Sequence, residues 1–509
     1  MIISLSVLVI TIIVSGTYAL YKAQLSKNIG VNTTTHGLAY YINYVKGTDI
    51  TAATLNPSTS YEGGASSDIE FWKKDDSYDI YGKIELTVNT IGTNLKNSPA
   101  LKYAVVNNGN VLSTGSLKGT TSGSKVTILK NLYLEQTKQI YTVYVWLDNS
   151  EELGNISNES LSISVDCTAS LQKEPAADTI ISLYTNASKT AVTNNGKDYN
   201  TAPSVSLMND RLGGTTTDLD DGNIRYYGAS PNNYIYFNCS DYSNQTSSTC
   251  ETWRIIGVFD GKLKLIRGSQ IGKYSWDNKN ISTGAEDDRG KNDWTTARLM
   301  KLLNPDDYYI NDNNDKDSEG NYLGYSLYYN SASGMCFTDE GVNYSACDFT
   351  STGIKNDETR NMIAETTYNL GGWNDTGVYP NEIYEYERGT TVYTGRPTTW
   401  TGKIALAYPS DYGYAADLNQ CKQTLANYDN STCTSNNWMK AIITDNGSNH
   451  GWLLTPDSSY SFGAWYSHGN VGEYFTGAAR GAVPVLSLSS KLGIESGDGS
   501  SSNPYKLSI

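Results

Sequence analysis

The sequence predicts a multidomain protein rich in β-structure, an N-terminal antiparallel β-sandwich followed by an α+β domain. Three observations lead there. A chain of 509 residues exceeds the roughly 100–200 residues usual for one domain, so more than one core is expected. A composition with 40 Tyr and 46 Gly but only 18% charged residues suits half-buried pleated surfaces broken by turns. The hydrophobic pattern also changes along the chain, from period-two alternation before residue 170 to mixed strand and helix patterns after residue 216.

Residues 1–20 form an apolar stretch ending in Ser15-Gly16-Thr17-Tyr18-Ala19, small residues suited to cleavage after Ala19. The first positive charges, Lys22 and Lys27, follow the apolar core instead of preceding it, so the segment reads as a signal peptide or a retained membrane anchor. No later apolar run approaches the roughly 20 residues needed to span a bilayer. The expected location is extracellular, either secreted or on the cell surface, with membrane or cell-wall attachment through the N-terminus.

Residues 30–170 carry the sandwich, with strand patterns at 37–45, 84–90, 101–106, 125–129, 139–147 and 161–165 bounded by Gly, Asn and Ser. Residues 171–215 read as a linker containing a short helix-like stretch at 178–184. Residues 216–509 form the second domain. A strand at 233–237 leads to a hairpin at 252–266 around Asp260-Gly261, a turn signal for a two-residue loop. A helix follows over 293–304, capped by Asp293, stopped by Pro305, and carrying Ala297, Met300 and Leu303 at helical spacing. Residues 383–387 alternate as a strand.

Cys239 and Cys250 lie 11 residues apart, Cys336 and Cys347 also 11, and Cys421 and Cys433 lie 12 apart, leaving Cys167 odd. Each interval is rich in Ser, Asn, Thr or Gly, which reads as three stapled surface loops in an oxidising compartment, although six cysteines admit about 15 pairings. The competing use, metal binding, calls for Cys-x-x-Cys knuckles or nearby His, and the chain has only 3 His. With 38 Lys and Arg against 53 Asp and Glu the net charge is −15, which disfavours a general nucleic-acid binder because polymer phosphate would repel it.

Two stretches resemble known families. The Gly16-Thr17-Tyr18-Ala19 ending, residues 141–148 and residues 161–165 resemble camelysin-like, biofilm-fibre sandwiches of Gram-positive bacteria. Trp253-Arg254-Ile255-Ile256, the helix end at 299–304, Trp452-Leu453-Leu454-Thr455-Pro456 and Val483-Pro484-Val485-Leu486 resemble a bacterial surface domain related to C-type lectins and the formylglycine-generating enzyme. That family carries Arg before the last Pro. This chain has Val483 there, with Arg480 nearby.

The enzyme branch of this resemblance implies a copper-holding reactive cysteine pair. Here every cysteine of the domain falls in a loop-spaced pair, so the protein is expected not to be an enzyme and to need no cofactor. The lectin branch implies calcium. Trp373-Asn374-Asp375 matches the lectin triplet, although Pro380-Asn381-Glu382 follows it where the lectins place their loop first. Asp315, Asp317 and Glu319 alternate before Gly320, as oxygen ligands of a Ca²⁺ loop do, and a solvated acidic loop has the same pattern. Calcium ligands are thus sought among Asp315, Asp317, Glu319, Asn374 and Asp375. Glu382, Glu385 and Glu387 with Asp375 could pair for glycoside hydrolysis, but nothing in the sequence fixes their separation.

The ligand face is expected near the C-terminus. Trp452, Tyr460, Trp465, Tyr466, His468, Tyr474 and Arg480, with Phe462 and Phe475, are interleaved with Ser, Gly and Asn, as in surfaces built on rigid aromatic anchors. Core packing of a Tyr-rich domain is the competing reading, and His450 and His468 read as surface or hydrogen-bonded residues. The expected function is non-catalytic recognition or adhesion, with a glycan or a surface protein as ligand. The alternative is a structural subunit of an extracellular matrix or pilus-like fibre.

Overall fold

A computed structural model describes residues 23–25, 41–52, 55–156, 159–211, 222–278, 289–311, 313–338 and 344–509. The apolar segment 1–20 and the start of the first expected strand lie outside these residues. No helix among the described residues is long and apolar enough to cross a membrane. The chain divides into two units, one of residues 1–175 with 493–498 and 505–509, the other of 176–492 with 499–504.

The first unit holds two sheets around one core. One runs in the order Ala23–Leu25, Leu161–Ser170, Tyr81–Ile91, Lys125–Tyr133, with Ile50–Ala52 also on Leu161–Ser170. The other runs Ile42–Val45, Ala65–Lys73, Ile140–Asp148, Leu101–Asn107, Asn110–Ser116, and Pro57–Ser58 joins Ile140–Asp148 in parallel. Leu161–Ser170 alternates buried and half-buried residues along its whole length, because successive side chains of a strand point to opposite faces. Ile84, Leu86, Val88, Ile163 and Val165 from one sheet share a core with Ile69, Phe71, Val105, Val143 and Val145 from the other. Each such side chain contributes about 1.5–3 kcal/mol on burial. Cys167, the odd cysteine, lies in this core as a free thiol, and burial holds its pKa well above the usual value.

Residues 493–498 and 505–509 of the C-terminal tail belong to this first unit. Strands Gly493–Ser496 and Lys506–Ser508 pair with each other. Asn131, at φ 51°, donates to the carbonyls of Glu174 (3.0 Å) and Ile494 (2.9 Å), and its own carbonyl accepts from Ser508 Oγ (3.1 Å). The expected second domain therefore does not run unbroken to residue 509.

The linker reading of 171–215 is also corrected. Helix Ala176–Asn186 and strands Thr190–Asn194, Lys197–Ala202 and Leu207–Asn209 are parts of the second unit. The three strands open a nine-stranded antiparallel sheet that continues Ile224–Tyr226, Glu251–Phe259, Lys262–Arg267, Val485–Ser487, Ile404–Ala405, with Tyr234–Phe237 also on Glu251–Phe259. Composition hid the first two: Asn, Thr, Lys and Asp dominate, and burial falls mainly on one face, through Val192, Asn194, Tyr199 and Thr201, whereas Leu207–Asn209 is buried throughout. The expected hairpin forms, with Asp260 at φ 48° and Gly261 at φ 69° as the left-handed pair its two-residue turn requires. Gly257 sits at a bulge in the same hairpin, and a Cβ there would lie 2.1 Å from the Ile224 carbonyl oxygen, so only glycine fits.

The expected helix over 293–304 forms as a 3₁₀ turn, Trp294–Thr296, and an α-helix, Arg298–Leu303. Asp293 caps the 3₁₀ turn by accepting from Thr295 N at 3.1 Å. The strand expected at 383–387 is instead helix Pro380–Glu387. Pro380 suits the first helical position, Glu382 accepts from Tyr379 N at 2.8 Å, and Ile383 and Glu387 fall four apart on one buried face. A five-stranded sheet, in the order Lys273–Ser275, Ala479–Gly481, Gly451–Pro456, Gly463–Ser467, Val471–Phe475, carries the candidate site.

Candidate functional site

Register decides which aromatic residues of this sheet reach solvent. Tyr466 lies opposite Trp452 on one side and Gly472 on the other, while Trp465 lies opposite Glu473. Directly paired residues share a face, so Tyr466, Gly472, Tyr474 and Trp452 belong to one face and Trp465 to the other. Trp465 packs into the core with Leu453, Val471 and Val485, and its indole N–H donates to the Trp373 carbonyl at 3.1 Å. Trp452 is also fully buried, its N–H held by the Tyr274 carbonyl at 2.9 Å. The expectation that both tryptophans contact ligand is thereby corrected: Trp465 is buried on the opposite face, and Trp452, although on the face of Tyr466, is covered.

The rings of the Tyr466 face form a continuous array. Tyr466 stacks on His450 (5.3 Å) and His468 (5.5 Å), and the two imidazoles are 4.7 Å apart. Tyr474 meets Tyr466 edge-on at 6.2 Å and stacks on Phe475 at 4.3 Å. Gly472 leaves room for this arrangement, since a Cβ there would come within 3.1 Å of the Tyr466 ring. Arg480 lies over Tyr466 at 3.8 Å and Tyr474 at 4.3 Å, and its guanidinium contacts His450 Nδ1. Burial, then Arg480 and His468, hold His450 below the usual imidazole pKa, so it is a neutral acceptor at pH 7. Tyr474 and His468 are exposed and Tyr466 half-buried. Tyr460, more than half exposed, stacks on Phe462 at 5.6 Å.

On the opposite side of the same strands two carboxyls meet. Asp457 is fully buried, and its Oδ1 accepts from the backbone of Ser459 (2.5 Å) and Tyr460 (2.8 Å), while no N–H or hydroxyl reaches Oδ2. A protonated Glu473 would be the donor that Oδ2 lacks. Burial, the hydrogen bond to Asp457 and the charges of Asp457 and Asp375 push its pKa up to about 8. The sequence marks neither residue, because they stand 16 apart and only the hairpin brings them together.

The calcium candidates do not converge. Asp315 is buried, with one carboxylate oxygen on Arg298 and the other on Lys301 (2.7 Å) and Tyr325, so its lone pairs are committed to an internal ion cluster. Asp317 holds a turn by accepting from Glu319 N (2.9 Å) and Asn321 N (2.8 Å), and Glu319 is exposed. Asn374 donates to Ser459 Oγ at 2.7 Å, and Asp375 accepts from Gly377 N at 2.8 Å. No group of three or more His, Cys, Asp or Glu among the described residues could share a metal ion.

Of the carboxylates considered for hydrolysis, Glu385 is exposed and the others are similarly engaged. Glu382 caps its helix. Glu387 is buried, accepts from Ser410 N (2.9 Å) and Ser410 Oγ (2.5 Å), and is pushed up to about 7 by burial against the pull of Arg388 and Ser410. Beside it, Arg225 bridges Asp210 (2.5 Å) and Asp411 (2.8 Å), and Lys264 also binds Asp411.

Cys239–Cys250, Cys336–Cys347 and Cys421–Cys433 are disulfide-bonded. The third lies in the core and not on a surface loop.

No protein-family model matches the chain, and no curated protein matches it. Among solved structures it is similar to the CBM51-2 and INT domains of Clostridium perfringens ZmpB, at 10% identity and a TM-score of 0.13 over 33% of this chain and 34% of that one. The chain thus spans about a third of the length of that structure. It is also similar to the receptor-binding domain of botulinum neurotoxin mosaic serotype C/D, at 10% identity and a TM-score of 0.14 over 52% of this chain and 75% of that one. Likenesses of this size assign neither a topology nor a ligand.

Proposed function

We propose that the protein is an exported, cell-surface recognition or adhesion protein that binds a glycan or protein ligand without catalysis, through a C-type-lectin-like α+β unit. The observation that carries this reading is the array of Tyr466, Tyr474, His450, His468 and Arg480 on one face of a rigid sheet. Tyrosine rings offer large contact area at low entropic cost, and sheet-mounted sites hold their geometry. Three disulfides support function in an oxidising compartment. The test is glycan-array binding by the oxidised chain, with and without chelator. Loss of binding in Tyr466→Ala and Tyr474→Ala supports the face, and unchanged binding in both variants refutes it.

A second reading, a matrix or fibre subunit, is favoured by one feature. Strand Ala23–Leu25 occupies the edge of Leu161–Ser170 beside Ile50–Ala52, and a segment that adds a strand there could come from another copy. Sedimentation of the chain over a concentration series tests it: growing assemblies support it, and a constant monomer rules it out.

A further inference from the structure

Seven Lys or Arg side chains among the described residues are more than nine-tenths buried: Lys73, Arg225, Arg254, Lys264, Arg298, Lys301 and Arg480. A buried cation needs a compensating anion, because desolvation costs several kcal/mol and neutral partners restore only part of it. Lys73, Arg225, Lys264, Arg298 and Lys301 have carboxylates within ion-pair distance. Arg480 belongs to the aromatic face. Arg254 remains, and no carboxylate among the described residues pairs with it.

Arg254 stands on Glu251–Phe259 with its guanidinium 3.7 Å from the Tyr234 ring and 4.9 Å from Trp438. Its Nε donates to Asn233 Oδ1 at 2.5 Å and its Nη2 to the Pro231 carbonyl at 3.3 Å, while Nη1 has no hydrogen-bond partner among the described residues. These neutral contacts fix the plane of the guanidinium and leave its charge uncompensated. Burial draws its pKa down to about 10, so it is still a cation at pH 7.

The same side chain lines a groove of about 420 Å³ with Tyr234, Glu251, Thr252, Arg267 and Ser269. The volume is within the range of small-ligand sites. The other charges of the groove cancel: Arg267 holds Glu251 through Nε (3.0 Å) and Nη2 (3.2 Å). The groove therefore presents one net positive charge, fixed in direction, beside a phenol and two hydroxyl side chains.

We propose that this groove binds the carboxylate of a sugar acid, with Arg254 as the anion-binding residue and Thr252, Ser269 and Tyr234 facing the sugar ring and its hydroxyls. A single planar carboxylate matches a fixed guanidinium better than a phosphate dianion matches one net charge. Hydroxyl-bearing walls and an aromatic ring suit a hydroxylated ring better than an aliphatic acid. The groove shares no lining residue with the Tyr466 face, so the two sites fail or stand separately.

The test is calorimetric titration of the oxidised chain with glucuronate, glucose, acetate and N-acetylglycine. Glucuronate is expected to bind saturably in the millimolar range, glucose not to bind, and acetate and N-acetylglycine to bind at least tenfold more weakly than glucuronate. Arg254→Gln should weaken glucuronate at least tenfold. Because Arg254 also ties down residues 231–233, Thr252→Glu serves as the second variant: it is exposed, and it places a carboxylate at the groove to repel the ligand. Tyr466→Ala should leave glucuronate binding unchanged. Absence of saturable glucuronate binding, or binding unaltered in Thr252→Glu, overturns the site. Acetate or N-acetylglycine binding as tightly as glucuronate overturns its assignment to a sugar acid.

Discussion

The carboxyl pair beneath the aromatic face makes a pH prediction opposite in sign to ordinary acid denaturation. Asp457 Oδ2 is buried and lacks a donor unless Glu473 is protonated, and Glu473 stays protonated up to about 8. A carboxyl whose folded pKa is raised binds more protons folded than unfolded. Its stabilising effect is complete below the unfolded value of 4.5 and is lost as pH rises through about 8. Without screening, that displacement corresponds to about 5 kcal/mol. Solvent reaches Glu473, so we expect about 1–2 kcal/mol.

Glu473→Gln isolates this effect, because the amide keeps a donor for Asp457 and cannot ionise. Urea unfolding of both proteins at pH 5 and pH 9.5 is the assay. The native chain should lose about 1–2 kcal/mol more than the variant between these conditions. The double comparison matters because Asp277, Glu387 and Glu495, pushed by burial to about 6, 7 and 7, give the native chain and the variant the same falling background. Parallel pH curves for the two proteins, or a Glu473 carboxyl titrating near 4.5 by carbon-detected NMR, would refute the shared proton.

Three further outcomes follow from the packing. Trp465→Ala should cost about 3–5 kcal/mol by opening a core cavity, whereas Tyr466→Ala, one residue on, should cost about 1 kcal/mol, read from thermal unfolding; equal losses would contradict the assigned faces. Arg225→Met leaves Asp210 and Asp411 short of a cation in the interior and should cost about 3–5 kcal/mol in urea unfolding, and a loss below about 1 kcal/mol would mean the network is not stabilised by that charge. Millimolar calcium should leave the melting temperature unchanged in chelator-treated protein, since the oxygens of Asp315 already bind Arg298, Lys301 and Tyr325, and a rise of several degrees would require a site elsewhere.

Where one residue carried one signal, sequence and structure agree. Period-two alternation marked 161–165 within Leu161–Ser170 and 84–90 within Tyr81–Ile91, Asp260-Gly261 marked a turn, and cysteine spacing pointed to the three bonded pairs. Sequence reasoning failed where two signals competed. Alternation at 383–387 lost to Pro380 and Glu382, which start a helix, and the polar composition of 190–202 concealed strands buried mainly on one side. The aromatic cluster was visible as a cluster, but its faces were not, because register sends Trp465 inward and Tyr466 outward. Asp315 misled for a simpler reason: an acidic residue in a polar run resembles a metal ligand until its partners, Arg298 and Lys301, are seen folded over it.

The two unpaired arginines bear jointly on the kind of ligand. In a chain with 53 acidic and 38 basic residues, acidic partners are not scarce, and among the described residues five of seven buried cations have taken one. Arg254 and Arg480 instead rest against aromatic rings, at 3.7 Å and 3.8 Å, and accept neutral hydrogen-bond partners. A ring quadrupole returns about 0.5–2 kcal/mol to a cation, less than a buried charge loses on leaving water. The Arg254 groove therefore retains an electrostatic deficit that an arriving anion would relieve, and its hydrogen bonds to Asn233 and Pro231 hold the guanidinium in place before that anion arrives. For a protein of net charge −15, long-range steering would disfavour an acidic ligand, so affinity for one must come from such short-range, preorganised contacts. Binding of an acidic glycan should accordingly strengthen as salt screens the overall repulsion and weaken only where the salt anion itself competes for Arg254 or Arg480.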